Sequence, residues 1–457
     1  MQNSFVEWDN HLIKKYNVSG PRYTSYPTAL SFESGFETQQ VIDAIKSSDN
    51  SELSLYIHIP FCHQLCFYCG CNKIITRHQH KADLYLDYLE QEAQKQAPLY
   101  EKYHIQQLHL GGGTPTFLTK AQMSRLMVII KQNFNFDSNV QAGIEIDPRS
   151  LEEGMLVHLK ALGFNRVSFG IQDFDDDVQK AVNREQCADN VASLVSEARQ
   201  LGFESVNADM IYGLPLQTPE SFAKSMARLI ALSPDRVSVF NYAHLPDRFA
   251  AQRKIKDEQL PTPEQKLNMF KNTLAQMNAA GYVNIGMDHF AKNTDSLAVA
   301  QQQGRLHRNF QGYTTHGNCD LLGLGASSIS QVGDSIFQNP KELKEYYAAL
   351  ENNVIPVVKG LTLTQDDKIR AFVIKEIICH FQLDFSLVER QFGINFRDYF
   401  QDELQDMAGF DSDGMISLSE TQLRVENKGR LFIRNICMTF DAYLKKQAKL
   451  TRFSRVI

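Results

Sequence analysis

The feature that most restricts the fold of this 457-residue chain is an alternation of short β-like runs with longer helical stretches. The runs are Leu53–Ile59, Gln107–Leu110, Gln141–Ile146, Arg166–Ile171, Val206–Ile211 and Arg236–Phe240. Amphipathic stretches separate them at Leu84–Ala97, Ala121–Phe134, Asp189–Leu201 and Pro219–Leu232. In the second, Met123, Leu126, Met127 and Ile130 fall on one helical face. Strands that alternate with helices form parallel sheets through crossover connections. Six such units predict a β/α barrel, complete or partial, with a doubly wound open sheet as the rival. Polar and glycine residues favour the barrel. They gather at the C-terminal ends of five consecutive strands, at Gly111–Thr114, Glu145 and Asp147, Gln172 and Asp173, Asp209, and Asn241. Barrels build their active sites at that end, although loops are polar in any fold.

After Phe240 the pattern loosens. Ala243–Arg308 is charged and is broken at Pro261 and Pro263. Leu361–Thr364 reads as a boundary, with Thr364 placed to cap a helix over Gln365–Cys379. The remainder is mostly helical, with a β-like patch near Met415–Leu423. The expected division is an N-terminal segment (1–50) folding over the barrel mouth, a barrel with its extension (51–360), and a mainly helical C-terminal domain (361–457). An apolar content of 43% supports a large core and excludes extensive disorder. A net charge of -6 argues against a non-specific nucleic-acid binder. No stretch approaches the roughly 18 apolar residues of a membrane span. Met1–Lys15 carries Glu7, Asp9, Lys14 and Lys15 with no apolar run, so no export signal is read there. The cysteines are therefore expected in the reducing cytoplasm rather than in disulfides.

Four of the eight cysteines, Cys62, Cys66, Cys69 and Cys71, lie within ten residues directly after the first strand. Cys187, Cys319, Cys379 and Cys437 are scattered and read as small buried hydrophobes. Packing alone does not call for four thiols so close together. Zinc usually takes two separated pairs, and no second pair is near. An iron–sulfur cluster accepts closely spaced thiolates from one loop and is the favoured reading. A single glycine between Cys69 and Cys71 makes it awkward for both to share a cluster. Cys62, Cys66 and Cys69 are therefore assigned to iron, which leaves one iron open. An open iron implies catalysis, whereas a closed cluster implies electron transfer.

The spacing Cys62-x3-Cys66-x2-Cys69, with Gly111-Gly-Gly-Thr-Pro115 after the second strand, resembles the radical S-adenosylmethionine superfamily. Several stretches more narrowly resemble the oxygen-independent coproporphyrinogen III oxidases of bacteria. They are Gly20–Pro27, Tyr56–Cys62, Cys69–Lys73, Asn183–Glu185, Ile211–Pro215, His307–Tyr313 and Phe453–Ile457. The resemblance runs from about residue 18 to the end of the chain. Cys71 and the two terminal signatures distinguish this group from relatives without the activity, including haem-carrier-like proteins.

The resemblance implies a partial (β/α)6 barrel with a mainly helical C-terminal domain, a [4Fe-4S] cluster and two S-adenosylmethionine molecules. Tyr56, Gly112, Glu145 and Ile329 would contact the first molecule, whose amino and carboxylate groups complete the open iron. Tyr68, Gly113, Thr114, Gln172, Arg184, Asp209 and Ala243 would contact the second. A phenylalanine is common in the family at the place of Tyr68, and either ring can stack on adenine. Glycines let backbone N–H groups approach a carboxylate, and a strand-end acid such as Asp209 suits a ribose diol. Without the resemblance, Glu145 and Arg184 could equally be a surface charge pair. Cys71 would be a catalytic residue rather than a ligand.

The implied substrate, coproporphyrinogen III, carries four propionates, for which Arg22 and Arg308 are the candidate partners. The implied reaction starts when the reduced cluster cleaves the first S-adenosylmethionine. The resulting 5′-deoxyadenosyl radical takes hydrogen from a propionate β-carbon, and loss of CO2 and one electron leaves a vinyl group. Two propionates react, giving protoporphyrinogen IX. An electron donor such as flavodoxin or ferredoxin, an unidentified electron acceptor and a monomeric enzyme complete the expectation. The competing readings are another radical reaction or haem trafficking on the same scaffold, a ferredoxin-like carrier using all four cysteines, and a zinc-bearing structural protein.

Overall fold

The structure, a computed structural model, describes residues 6–446 and Arg455. Apart from Arg455, the Phe453–Ile457 signature lies outside the described residues. The chain forms two compact units, one of Phe32–Lys266 with Asn318–Thr362, the other of Met1–Ser31, Leu267–Gly317 and Leu363–Ile457.

The first unit contains the alternating elements: β1 (Glu52–Ile59), α1 (His80–Gln96), β2 (His104–Gly112), α2 (Lys120–Asn133), β3 (Asn135–Ile146), α3 (Met155–Leu162), β4 (Arg166–Gln172), α4 (Ala188–Gln200), β5 (Ser205–Tyr212), α5 (Pro219–Leu232) and β6 (Arg236–Asn241). The six strands pair in sequence order, all parallel. A doubly wound sheet would reverse its order at a switch point, so the unbroken order decides for a barrel. It is a partial one. β1 continues outward through a parallel partner, β7 (Asp320–Leu324), to the antiparallel strands β8 (Ile329–Val332), β9 (Ser335–Gln338) and β10 (Lys359–Thr362).

Local sequence accounts for these elements. β5 alternates, burying Val206, Ala208, Met210 and Tyr212 while Asn207, Asp209 and Ile211 turn to the other face. Burying a large apolar side chain contributes about 1.5–3 kcal/mol, which fixes the face that β5 turns to the helices. α2 and α5 start at Thr119 and Thr218, each in a capping box, and α5 has Pro at its first turn. α3 was not anticipated, because Met-Leu-Val-His-Leu-Lys-Ala-Leu is too short and too uniformly apolar to show a polar face. β7 to β10 were also missed, being only four or five residues each.

In the second unit, Thr364 caps α6 (Gln365–His380) in a capping box with Asp367, as expected. α6 buries Ile369, Val373, Ile374, Ile377 and Ile378 in one core with Ile285, Ala291, Leu297 and Leu306. Leu267–Gly317 thereby groups with the C-terminal residues and not with the barrel block in which the sequence division put it. Phe32–Asn50 groups with the barrel instead of with a separate N-terminal segment. Ser48 and Asn50 hydrogen-bond the Asp320 carboxylate of β7 at 2.6 and 2.9 Å. The β-like patch resolves into strands Ile416–Leu418 and Gln422–Val425, joined by Gln382–Asp384. No helix among the described residues is long and apolar enough to cross a membrane.

Candidate cluster and cofactor site

The cysteine loop leaves the C-terminal end of β1 and is pinned at both ends. Phe61–Cys62 pairs in parallel with Ile74–Ile75, and the Thr76 N–H donates to the Cys62 carbonyl at 3.0 Å. Cys62, Cys66, Cys69 and Cys71 all line one cavity of about 170 Å³. Hydrogen-bond donors converge on the sulfurs. Thr114 Oγ1 donates to Cys62 Sγ at 3.4 Å. Arg149 Nη2 and Arg184 Nη1 each donate to Cys66 Sγ at 3.3 Å. A hydrogen bond from Cys71 and the charge of Lys73 draw the Cys69 thiol down to about 6, whereas burial pushes Cys62 up to about 11. Cys71 is exposed, and its own thiol is held well above the ordinary range by the bond to Cys69.

The opposite wall of the cavity comes from strand ends. Asp147, just past β3, accepts from Arg149 Nη2 at 2.6 Å and from Arg184 Nη1 at 3.3 Å. Burial opposes its charge, but the Arg184 and Arg149 guanidiniums outweigh this and hold the carboxyl at about 2. Glu145 sits 3.4 Å from His109 Nε2 and accepts the Gly112 N–H at 3.3 Å. Those contacts outweigh burial and keep Glu145 below the usual carboxylate range. Asp209, on the inward face of β5, accepts from Ser168 Oγ at 3.3 Å. Burial and the Glu145 charge push it up to about 6. Gly112 has φ +115°, and a Cβ there would lie 2.6 Å from the His58 ring, so only glycine lets the backbone pass. Two buried polar atoms on the cavity wall, Gln172 Oε1 and Arg184 Nε, have no hydrogen-bond partner. Thiols supplied with donors, and polar atoms left open toward the cavity, suit a thiolate-bound group together with a polar ligand.

Residues 56–229 match the radical SAM superfamily, and residues 363–432 match the HemN C-terminal domain. The oxygen-independent coproporphyrinogen III oxidase of Salmonella typhimurium is 55% identical over 457 residues, 100% of both chains. The enzyme of that name from Pseudomonas aeruginosa is 49% identical over 99% of each. The solved coproporphyrinogen III oxidase HemN from Escherichia coli, described as a radical SAM enzyme, superposes with a TM-score of 0.93 at 54% identity. That superposition covers 96% of this chain and 99% of the other. The chain belongs to the oxygen-independent coproporphyrinogen III oxidases.

Most residues singled out by the resemblance to these oxidases meet in one place. Cys62, Cys66, Cys69, Cys71, Tyr68, Gly112, Gly113, Thr114, Glu145, Gln172, Arg184 and Asp209 all line the cavity. Tyr56, Ala243 and Ile329 are not on its wall. Tyr56 stacks on His109 and shares a hydrogen bond with His58 Nδ1 at 3.1 Å. Ala243 follows β6, and Ile329 opens β8. Arg22 and Arg308 belong to the second unit. Arg22 is ion-paired with Asp288. Arg308 lies 4.6 Å from the Tyr313 ring centroid, and its Nε and Nη1 are buried without a hydrogen-bond partner.

Sequence reasoning missed Arg149, Lys73 and His58. Arg149 follows Asp147 by two residues, a spacing that could have flagged a strand-end ion pair. His58 bridges Tyr56 to the Asn72 carbonyl at 3.1 Å, and nothing local in the sequence marks that role. A larger concavity of about 990 Å³ runs along Lys131–Ala142 at the strands' N-terminal side. It holds no comparable set of acids, cations and thiols, and that end of a barrel serves stability.

Proposed function

We propose that the chain converts two propionates of coproporphyrinogen III to vinyl groups without oxygen, giving protoporphyrinogen IX. The observation that carries this reading is the single cavity in which four loop thiols, two guanidiniums and the strand acids Glu145 and Asp209 meet. Full-length relatives at 55% identity support the substrate.

Cys62, Cys66 and Cys69 would hold the [4Fe-4S] cluster. When bound, the cluster and S-adenosylmethionine supply the one-electron chemistry that draws hydrogen from a carbon of the substrate. The chain's own residues prepare that site. Arg149 and Arg184 both donate to the Cys66 sulfur, and Thr114 donates to Cys62. Tyr56, Gly112, Glu145 and Ile329 would surround the first S-adenosylmethionine, where the ionised Glu145 suits an ammonium group. Tyr68, Gly113, Thr114, Gln172, Arg184, Asp209 and Ala243 would surround the second, with the open Gln172 Oε1 and Asp209 accepting hydrogen bonds from its hydroxyls. Cys71, exposed beside Cys69, would handle hydrogen or an electron near the substrate. Arg308 suits a propionate because two of its guanidinium nitrogens lack a partner. Arg22 would first have to release Asp288. A flavodoxin- or ferredoxin-type donor, a separate electron acceptor, a cytoplasmic setting and a single-chain enzyme belong to the same reading.

Anaerobic turnover of coproporphyrinogen III with S-adenosylmethionine and a reductant tests it directly. Substrate deuterated at the propionate β-carbons should place deuterium in 5′-deoxyadenosine, because a radical beside the pyrrole ring is delocalised. Transfer from α-labelled substrate, or vinyl product with no label transfer, would overturn the reaction.

A further inference from the structure

From Cys62 to Ala82 the chain contains no Asp or Glu, yet it carries Lys73, Arg77 and Lys81 together with His63, His78 and His80. This is a local excess of positive charge in a chain whose net charge is -6. Arg77, His78, His80 and Lys81 are exposed. Arg77 and Lys81 have no acid partner among the described residues, and the nearest following acid, Asp83, accepts from Gln122 at 2.7 Å. Two large apolar side chains open beside them, Ile75 at 41% and Leu84 at 49% exposure. Residues 75–84 therefore present exposed apolar side chains and more cations than acids, with Asp83 the one carboxylate, a composition that suits docking of an acidic protein.

Its position gives the partner's chemistry. Ile75 is the register partner of Cys62, and the Thr76 N–H donates to the Cys62 carbonyl at 3.0 Å. Lys73 Nζ, from the same segment, donates to the Cys69 carbonyl at 3.0 Å. Two hydrogen bonds thus join this surface segment to two of the three proposed cluster ligands. We infer that the Ile75–Leu84 surface docks an acidic protein carrying a low-potential one-electron centre. One electron passes to the cluster; the donor centre is oxidised, the cluster is reduced, and no bond forms or breaks. The inference rests on the cluster reading above.

The test uses the iron-loaded chain, an acidic flavodoxin as the probe, and an Arg77→Glu/Lys81→Glu double variant. Equilibrium binding of flavodoxin at low salt should weaken by about ten-fold or more, and the difference should shrink as salt screens the charges. Iron content and reduction by dithionite should match wild type, while reduction by flavodoxin slows. A Lys224→Glu/Arg228→Glu variant, with the same charge change on exposed positions of α5, should bind as wild type does. Unchanged flavodoxin affinity in the Arg77/Lys81 variant would overturn the docking surface. So would an equal loss in the α5 variant, which would reduce the effect to overall charge. If wild type holds no iron, or dithionite does not reduce it, the cluster reading itself fails.

Discussion

Two buried carboxylates in the barrel unit meet opposite surroundings. Asp147 faces the Arg149 and Arg184 guanidiniums and stays ionised, its carboxyl held at about 2. Glu92, on α1, meets only neutral donors: the Gly325 N–H at 2.7 Å, Tyr346 OH at 2.6 Å, Asn339 Nδ2 at 2.7 Å and Gln96 Nε2 at 3.2 Å. Burial outweighs those bonds and pushes Glu92 up to about 7. Neutral dipoles satisfy the lone pairs of a buried acid without compensating its charge; a guanidinium does both. Asp147 is thus a fixed charge that aims two cations at Cys66. Glu92 is a brace that ties α1 to the turn after β7 and to the chain beyond β9.

The largest effect separating the two regions should come from Cys66→Ala. It removes the sulfur on which both guanidiniums converge, and most of the roughly four irons per chain should be lost. Iron analysis of anaerobically purified protein checks this, and a full complement would refute Cys66 as a ligand. Cys71→Ala should be as damaging to turnover while leaving iron and the S-adenosylmethionine-dependent spectral change intact; iron loss would instead make Cys71 a ligand.

Asp147→Asn should come next. Asparagine keeps the acceptor but strands two buried cations, which should cost about 3 kcal/mol and lower Tm. A change below about 0.5 kcal/mol would show that the ion triad is solvated and that the contrast with Glu92 is not one of charge.

The smallest effect is a pH dependence at the brace. Glu92 binds its proton more tightly in the folded chain than the ordinary value of 4.5. Stability from this proton is therefore complete below pH 4.5 and declines as pH rises through about 7, by at most roughly 3 kcal/mol. Urea midpoints of wild type should fall between pH 5 and 7.5. In Glu92→Gln this component should vanish, and an unchanged slope would mean that other groups carry it. Asp147 has the opposite sign. Its contribution is present above about 4 and is lost as pH falls towards 2.

Much of the site was legible because its parts lie at repeating places. Glu145, Asp147 and Gln172 stand at the ends of consecutive strands and Asp209 lies on the inward face of the next, and parallel strands in sequence order bring them to one rim. Glu92 was invisible, since a glutamate inside an amphipathic helix reads as surface. Only the packing of α1 shows that it is buried. The grouping of Leu267–Gly317 with α6 was likewise hidden, because apolar faces do not declare their partners.

By itself the sequence determined the alternation that makes a barrel, the thiol spacing that suits an iron ligand loop, and the cap at Thr364. Each is local: side-chain periodicity, ligand reach and capping all operate within a few residues. Only the tertiary structure decided that Arg149 and Arg184, 83 and 118 residues beyond Cys66, both donate to its sulfur. It also decided that Glu92 finds its partners at Gly325, Asn339 and Tyr346. Such contacts depend on strand register and on the order in which helices pack, and no local pattern carries that information.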